Sequence, residues 1–137
     1  MAEVLTFSSQ GLTEALRAAV GNAAGSVNWV CHLANGGPAT PGFNDTVSSY
    51  TESIESGYAP VTLTYANYVF TVSNPNAIAT YPNFSFTFTA QFATVTHVFV
   101  TDTTNTILIG GDKLAVPNVS GSAGGTININ GLAFALS

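Results

Sequence analysis

The stretch Asn83–Asp102, NFSFTFTAQFATVTHVFVTD, has a density of large apolar side chains that no other part of the chain matches. In its first half, apolar residues alternate with serine and threonine, which is typical of a strand with one buried and one polar face. After a break at 93–94, the run from Val95 to Thr101 is again β-branched and aromatic. We therefore expect the core to form around this stretch, with these residues buried: Phe84, Phe86, Phe88, Ala90, Phe92 and Phe99.

Shorter β patterns recur on both sides of this stretch and are separated by residues that favour turns. With about eight short strands, the pattern predicts a mostly β domain, an antiparallel β-sandwich or a jelly-roll-like barrel. A turn is expected at Gly110-Gly111-Asp112. The further predicted strands are Ser26–Leu33, Val61–Tyr65, Tyr68–Val72, Thr106–Ile109, Leu114–Val116, Thr126–Ile129 and Leu132–Leu136.

The N-terminal region and one long loop complete the predicted architecture. Residues 1–7 form an arm or a strand, and Ser8 or Ser9 can cap a short helix over residues 10–20. Residues 34–57 combine a Gly/Pro-rich run with a weakly patterned polar segment, and they are expected to form a long loop. A chain of 137 residues fits a single domain spanning residues 1–137.

Charge is scarce in this chain. Only 7% of its residues are charged, against roughly 25% in an ordinary domain. Arg17 and Lys113 are the only basic residues beside seven acids, for a net charge of -5. Nucleic-acid binding requires lysine and arginine to neutralise phosphates, so this class of function is excluded. Sparse charge instead suits a subunit whose surface is covered by neighbours in a permanent assembly.

No segment suggests a membrane or an export route. The sequence has no run of about 18 apolar residues that could span a bilayer, and its start lacks the pattern of a signal peptide. We therefore expect no membrane partner and synthesis in a cytoplasm. With Cys31 as its single cysteine, the chain can form no internal disulfide, and we expect this thiol in the core.

The residues that could carry catalysis or bind a metal form no recognisable set. Glu52 and Glu55 can be interpreted as an acid–base pair, but their polar surroundings favour a solvated loop. His32 and His97 lie in strand patterns, which favours core or interface packing over metal ligation. The sequence also lacks the serine-nucleophile and phosphate-loop motifs. We expect a protein that is not an enzyme and has no catalytic, cofactor-binding or metal-binding residues and no cofactor.

Two weaker patterns leave alternatives open. Asp102 and Asn105 resemble a fragment of a calcium loop, but an Asx-type turn fits the DTTN sequence better. Trp29 and the five tyrosines include candidates for a sugar-stacking platform, although period-two placement favours core or subunit packing for Tyr65. The platform residues would be Trp29, Tyr50, Tyr58, Tyr65 and Tyr68.

The order of the pieces resembles a known group of proteins. It runs from GLTEALRAAVG through HLANGGPATPG and SYTESIESGYAPVTL to FSFTFTAQFATVTHVFVTDTTNTILIGGDKL. In this order the chain resembles small virion proteins of tailed bacteriophages, including cyanophages, and among them capsid decoration (cement) proteins. The chain departs from the group at His97-Val98, where a Gly-Tyr pair often precedes the Phe-Val-Thr-Asp piece.

The resemblance implies a function and a set of partners. It implies a structural protein on the capsid surface of the virion that forms homotrimers and clamps neighbouring major capsid proteins. The N-terminal arm and the 34–57 loop would then supply the contacts. The candidate interface residues are Val4, Leu5, Phe7, Phe43, Tyr50, Ile54 and Tyr58. The alternative is a phage tail or fibre subunit, or an adhesin that binds host surface glycans.

Overall fold

A computed structural model of the chain describes residues 3–8, 11, 28–64, 67–73, 76–118 and 123–136. The described part is mostly β, as the sequence predicts. Its elements are β1 (Glu3–Phe7), β2 (Trp29–Gly36), a 3₁₀ turn (Val47–Ser49), β3 (Thr51–Glu52), β4 (Val61–Leu63), β5 (Val69–Ser73), β6 (Asn76–Tyr81), β7 (Phe84–Phe88), β8 (Val95–Thr101), β9 (Leu108–Asn118), β10 (Gly125–Ile129) and β11 (Leu132–Leu136). The predicted helix over residues 10–20 lies outside the described residues, apart from Gly11.

Nine of these strands form one large sheet in the order β3-β2-β8-β9-β1-β11-β6-β5, with β4 also paired to β2. Strand β1 joins the two halves of the sheet. Its residues Glu3–Leu5 pair with β11, and Thr6–Phe7 pair with β9 on the other side. The β1–β11 pair is parallel and the other pairs are antiparallel, so the sheet is mixed. The described strands do not close into a barrel.

The Phe-rich stretch contributes to two different sheets. Strand β7 alternates as predicted, with Phe86 and Phe88 buried and Ser85 and Thr87 exposed. However, among the described strands β7 pairs only with β10, in a separate two-stranded ribbon. Strand β8 instead lies inside the large sheet, between β2 and β9.

The ribbon packs on the main hydrophobic core. Aromatic rings of β7 and the residues after it stack there, with the ring centroids of Phe88 and Phe92 4.0 Å apart. Cys31 is fully buried in the same core, as predicted, and burial raises the pKa of its thiol. The core includes Leu5, Cys31, Leu33, Leu63, Phe86, Phe88, Val95, Val98, Val100, Ile109, Ile127, Ile129, Leu132 and Phe134.

Strand β8 is buried on both faces. Val98 and Val100 belong to the main core, whereas Phe99 belongs to a second cluster with Ala34, Tyr50 and Leu108. Since side chains alternate along a strand, this second cluster lies on the opposite face of the sheet. The chain between β2 and β3 supplies Tyr50, so part of the predicted 34–57 loop covers this face.

The predicted turn at Gly110-Gly111-Asp112 is wrong. Strand β9 runs from Leu108 to Asn118, and its residues 110–113 pair in one register with 97–100 of β8, with a register shift on either side. Gly111 lies against the ring of Tyr50, and a Cβ at this position would overlap that ring. Gly111 therefore makes room for a tyrosine and does not turn the chain.

The predicted 34–57 loop contains more regular structure than its sequence suggests. Strand β2 continues to Gly36, with a bulge where it pairs with β3. Beyond the 3₁₀ turn, the N–H of Ser53 donates to the carbonyl of Leu33 at 2.9 Å. We call residues 37–58 the covering segment.

Candidate functional site

A buried polar network joins the covering segment to the sheet at His32. The imidazole lies between a carboxylate and a hydroxyl: Nδ1 is 2.6 Å from Glu52 Oε1, and Nε2 is 2.9 Å from Thr101 Oγ1. The three residues come from β3, β2 and β8. His32 is 1% exposed and stacks on the ring of Phe99, with centroids 4.6 Å apart.

Tyr58 extends the network on the side of Glu52. Its hydroxyl donates to Glu52 Oε1 at 2.9 Å and accepts the N–H of Leu33 at 3.0 Å. Burial raises the pKa of the Tyr58 phenol, which therefore stays protonated and able to donate. Glu52 thus receives hydrogen bonds from two side chains while remaining partly open to solvent, with 38% of its side chain exposed.

Thr101 extends the network on the other side of the imidazole. Its hydroxyl lies 2.9 Å from the carbonyl oxygen of Asp102 and 3.1 Å from Asn105 Oδ1. A hydroxyl has one proton to donate. If that proton goes to His32 Nε2, neither oxygen receives it. The Thr101 hydroxyl therefore links the imidazole to the β8–β9 connection, whichever of these neighbours receives its proton.

The order carboxylate, imidazole, hydroxyl is that of a hydrolase triad. Such a triad activates its hydroxyl as a nucleophile toward a substrate carbonyl. Thr101, however, is 0% exposed, so in this conformation its oxygen has no access to a substrate. The arrangement instead fixes three strands and the covering segment to one another.

Glu52 is the residue that sequence reasoning placed wrongly. The predicted loop is wrong for Glu52, which lies in β3 and accepts a hydrogen bond from a buried histidine, although 38% of its side chain is exposed. Its partners stand 20 residues earlier and six later along the chain, so no local pattern shows them. Glu55 does face solvent in part, and it accepts the N–H of Ala93 at 3.0 Å.

His97 holds the beginning of the covering segment. Its Nε2 lies 2.7 Å from the carbonyl oxygen of Pro38, so Nε2–H donates, and its Nδ1 lies 2.7 Å from Thr96 Oγ1. The side chain is 4% exposed, which confirms the predicted packing role. In the described part of the chain, no group of three or more His, Cys, Asp and Glu side chains could hold a metal ion.

Tyr50 packs the middle of the covering segment against β8. Its ring stacks on Phe99 with centroids 4.8 Å apart and meets His97 edge-on. Its hydroxyl is buried without a hydrogen-bond partner among the described residues. Burial raises the pKa of Tyr50, and the nearby charges of Asp45 and Asp112 raise it further.

The candidate interface residues separate into buried and exposed groups. Leu5 and Tyr50 are buried, and Tyr58 is partly buried against the core. Phe43 and Ile54, in contrast, are 55% and 89% exposed, and both belong to the covering segment. Val4 and Phe7 lie in β1, but their side chains are outside the described part of the structure.

The proposed sugar-stacking residues pack mainly against one another and the core. Tyr58 stacks on Phe88, and Trp29 packs against Phe134 with centroids 5.0 Å apart. Tyr68 meets Trp29 edge-on. These rings form no exposed platform, and Tyr65 lies outside the described residues.

The predicted Asx-type turn at Asp102 is confirmed. Asp102 Oδ1 accepts the N–H groups of Thr106 and Ile107 at 2.9 and 2.8 Å, and Oδ2 accepts the N–H of Thr104 at 3.2 Å. Asn105 takes the left-handed backbone conformation that this tight loop needs, with φ 59°. The carboxylate therefore organises the β8–β9 connection.

Comparison of the chain with protein-family models, with curated proteins and with solved structures finds no match. Among the described residues, no helix has the length and apolar character needed to cross a membrane.

Proposed function

We propose that this chain is a non-enzymatic structural protein of a virus particle. In this proposal it is a capsid decoration (cement) protein on the capsid surface, forms homotrimers and clamps neighbouring major capsid proteins. The sequence resemblance to small phage virion proteins supports this function, as does the low charge of the chain. The layered packing of the β7–β10 ribbon on the large sheet supports a sandwich-like arrangement of the fold.

The observation that carries the proposal is the pair Phe43 and Ile54. Large apolar side chains exposed to 55% and 89% are unfavourable in water and gain free energy when a partner covers them. Both belong to a segment that is already fixed to the sheet through His97 and His32. A fixed surface loses little conformational entropy on binding, which suits a clamp.

The first test is the position of the protein in the purified particle. We expect a reconstruction of the virion to show the chain on the outer capsid lattice, with the covering segment against the major capsid protein. Density found only on the tail would overturn the proposal and favour the alternative, a tail or fibre subunit or a glycan-binding adhesin.

The second test measures binding to capsids that lack the protein. We expect the double variant Phe43→Ser/Ile54→Ser to bind at least about tenfold more weakly, because each truncated side chain loses more than about 1 kcal/mol of apolar contact. Val116→Ser is the matched control, since Val116 is also an exposed apolar residue, at 65%, but lies in β9. Equal binding by the double variant and wild type would contradict the assignment of the covering segment.

A further inference from the structure

The two ends of the large sheet are built differently. At one end β3 and β4 both pair with β2, and the other end is β5. A strand at the end of a sheet leaves a row of backbone N–H and C=O groups unpaired, and such a row can pair with another chain.

The β3 end has the features that prevent such pairing. Strand β3 is two residues long, a bulge disturbs its pairing with β2 between Ala34 and Gly36, and it contains the charged residue Glu52. Strand β4, at the same end, is only three residues long. Short length, a bulge and a charge are the usual protections of an edge strand.

The β5 end has none of these protections. Strand β5 is five residues long and pairs with β6 in one continuous register, from Val69↔Thr80 to Ser73↔Asn76, without a bulge. Its sequence, VFTVS, contains no charge and no proline. On its other side, no residue of the described part of the chain pairs with it. Val69, at the start of the strand, is 63% exposed.

Charge favours a second copy of this chain as the occupant of the edge. No Asp, Glu, Lys or Arg occurs anywhere from residue 56 to residue 101, so the chain around β5 is neutral despite the net charge of -5. Two copies can therefore bring these edges together without like-charge repulsion. An antiparallel pair of identical strands is also self-complementary about a two-fold axis.

We propose that β5 pairs with β5 of a second copy, antiparallel and about a two-fold axis, so that the large sheets of two chains become continuous. The contact uses backbone hydrogen bonds and covers Val69. It does not depend on the proposed function and uses a different surface from Phe43 and Ile54. A three-fold contact elsewhere on the surface is compatible with it and would give six copies.

The test compares the native mass of the isolated full-length protein with that of Val69→Lys. We expect wild type to contain an even number of copies and V69K to contain half that number, because lysine at the edge blocks strand pairing. Val116→Lys is the matched control: it places the same charge at a valine of nearly equal exposure in β9, and it should keep the wild-type mass.

A second measurement needs no variant. Hydrogen exchange of the wild-type protein should show slow exchange at the amides of residues 69–73 that do not pair with β6, and dilution to monomer should remove this protection. A monomer that exchanges freely at these amides, or a trimer that V69K leaves unchanged, would overturn the inference while leaving the capsid proposal intact. Protection that appears only when capsids are added would overturn it too, by assigning the edge to a different protein.

Discussion

The ring of Tyr50 lies directly over the backbone of Gly111. A methyl group at position 111 would overlap both the hydroxyl oxygen and the Cζ atom of Tyr50. The covering segment therefore approaches the sheet closely at a residue without a side chain, and there the tyrosine ring stacks on Phe99.

Gly111→Ala should destabilise the protein. Alanine in a strand normally gains about 0.5–1 kcal/mol over glycine, because it has less conformational freedom to lose. Here the added methyl group displaces the Tyr50 ring, and overpacking of this kind costs about 1–3 kcal/mol. Urea denaturation should therefore show a net loss of stability.

Gly125→Ala is the control for this prediction. Gly125 also lies in a strand, and a Cβ there meets nothing within 4 Å, so this variant should be as stable as wild type or slightly more stable. Combining Gly111→Ala with Tyr50→Ala should recover part of the loss that the single variants predict by addition. Simple additivity of the two losses would show that the Tyr50 ring is not the obstacle.

Glu52→Ala should cost about 1–3 kcal/mol of unfolding free energy, because it removes the acceptor of a buried histidine and of a tyrosine hydroxyl. Glu52→Gln keeps an acceptor oxygen and should lose less. Glu55→Ala provides the comparison: its bonds to the N–H groups of Ile54 and Ala93 are exposed, so water replaces them. If the Glu52 and Glu55 variants lose equal stability, the His32 network contributes nothing to the fold.

Asp102→Asn should make the free energy of unfolding depend less on pH in the acid range. Burial alone would raise the pKa of Asp102, but hydrogen bonds from the Thr104 hydroxyl and from the N–H groups of Ile107, Thr106 and Thr104 outweigh it and lower the pKa. The ionised carboxylate therefore stabilises the fold above its unfolded pKa of about 3.9, and this contribution disappears as pH falls through the lower folded pKa.

The measurement for Asp102 is the urea midpoint of wild type and variant from neutral pH down to about pH 2, below the usual carboxyl pKa range. Above the unfolded pKa the variant should be less stable, and the two curves should approach each other in acid. Parallel curves over the whole range would show that the Asp102 hydrogen bonds do not produce the pKa shift.

Tyr58→Phe should make the free energy of unfolding fall less steeply as the pH rises above about 10. Burial raises the pKa of Tyr58, and the charge of Glu52 adds to this effect, while the N–H of Leu33 acts against it. Because the folded pKa exceeds the unfolded value of about 10, the contribution is complete below pH 10 and is lost as pH rises further. Wild type should lose stability above that pH more steeply than the variant, as measured by urea unfolding together with tyrosinate absorbance. Identical alkaline slopes would contradict the prediction.

Local patterns predicted what depends on local periodicity. The alternation in Phe84–Phe88 indicated which side chains are buried, and Asp102 indicated the turn that follows it. Cys31 and His97 were placed correctly because apolar neighbours in a strand pattern signal burial. These outcomes need no knowledge of which strands become neighbours.

The failures share a different cause. The Gly110-Gly111 pair predicts a turn, because nothing in the local sequence shows that Tyr50, which is distant along the chain, packs against Gly111. The polar residues around Glu52 predict a solvated carboxylate, because they give no sign of its contact with His32. The parallel pairing of β1 with β11 has no local signature at all. In each case the contacting partner is remote in sequence. The alternation of side chains along a strand indicates the face on which a residue lies, but it does not indicate which distant residue packs there.

The pairing of β1 with β11 is a folding step that must wait until both strands have been synthesised. Glu3–Leu5 emerge from the ribosome among the first residues of the described chain, and their partners Leu132–Phe134 are among the last. The two halves of the sheet cannot be joined before Leu132–Phe134 have been made, because these residues complete the junction. Joining them closes a loop that includes nearly the whole described chain, a step that is slow in proteins dominated by long-range contacts. Until it happens, β1 presents an unpaired edge, and the newly made chain is most exposed to wrong partners in that interval.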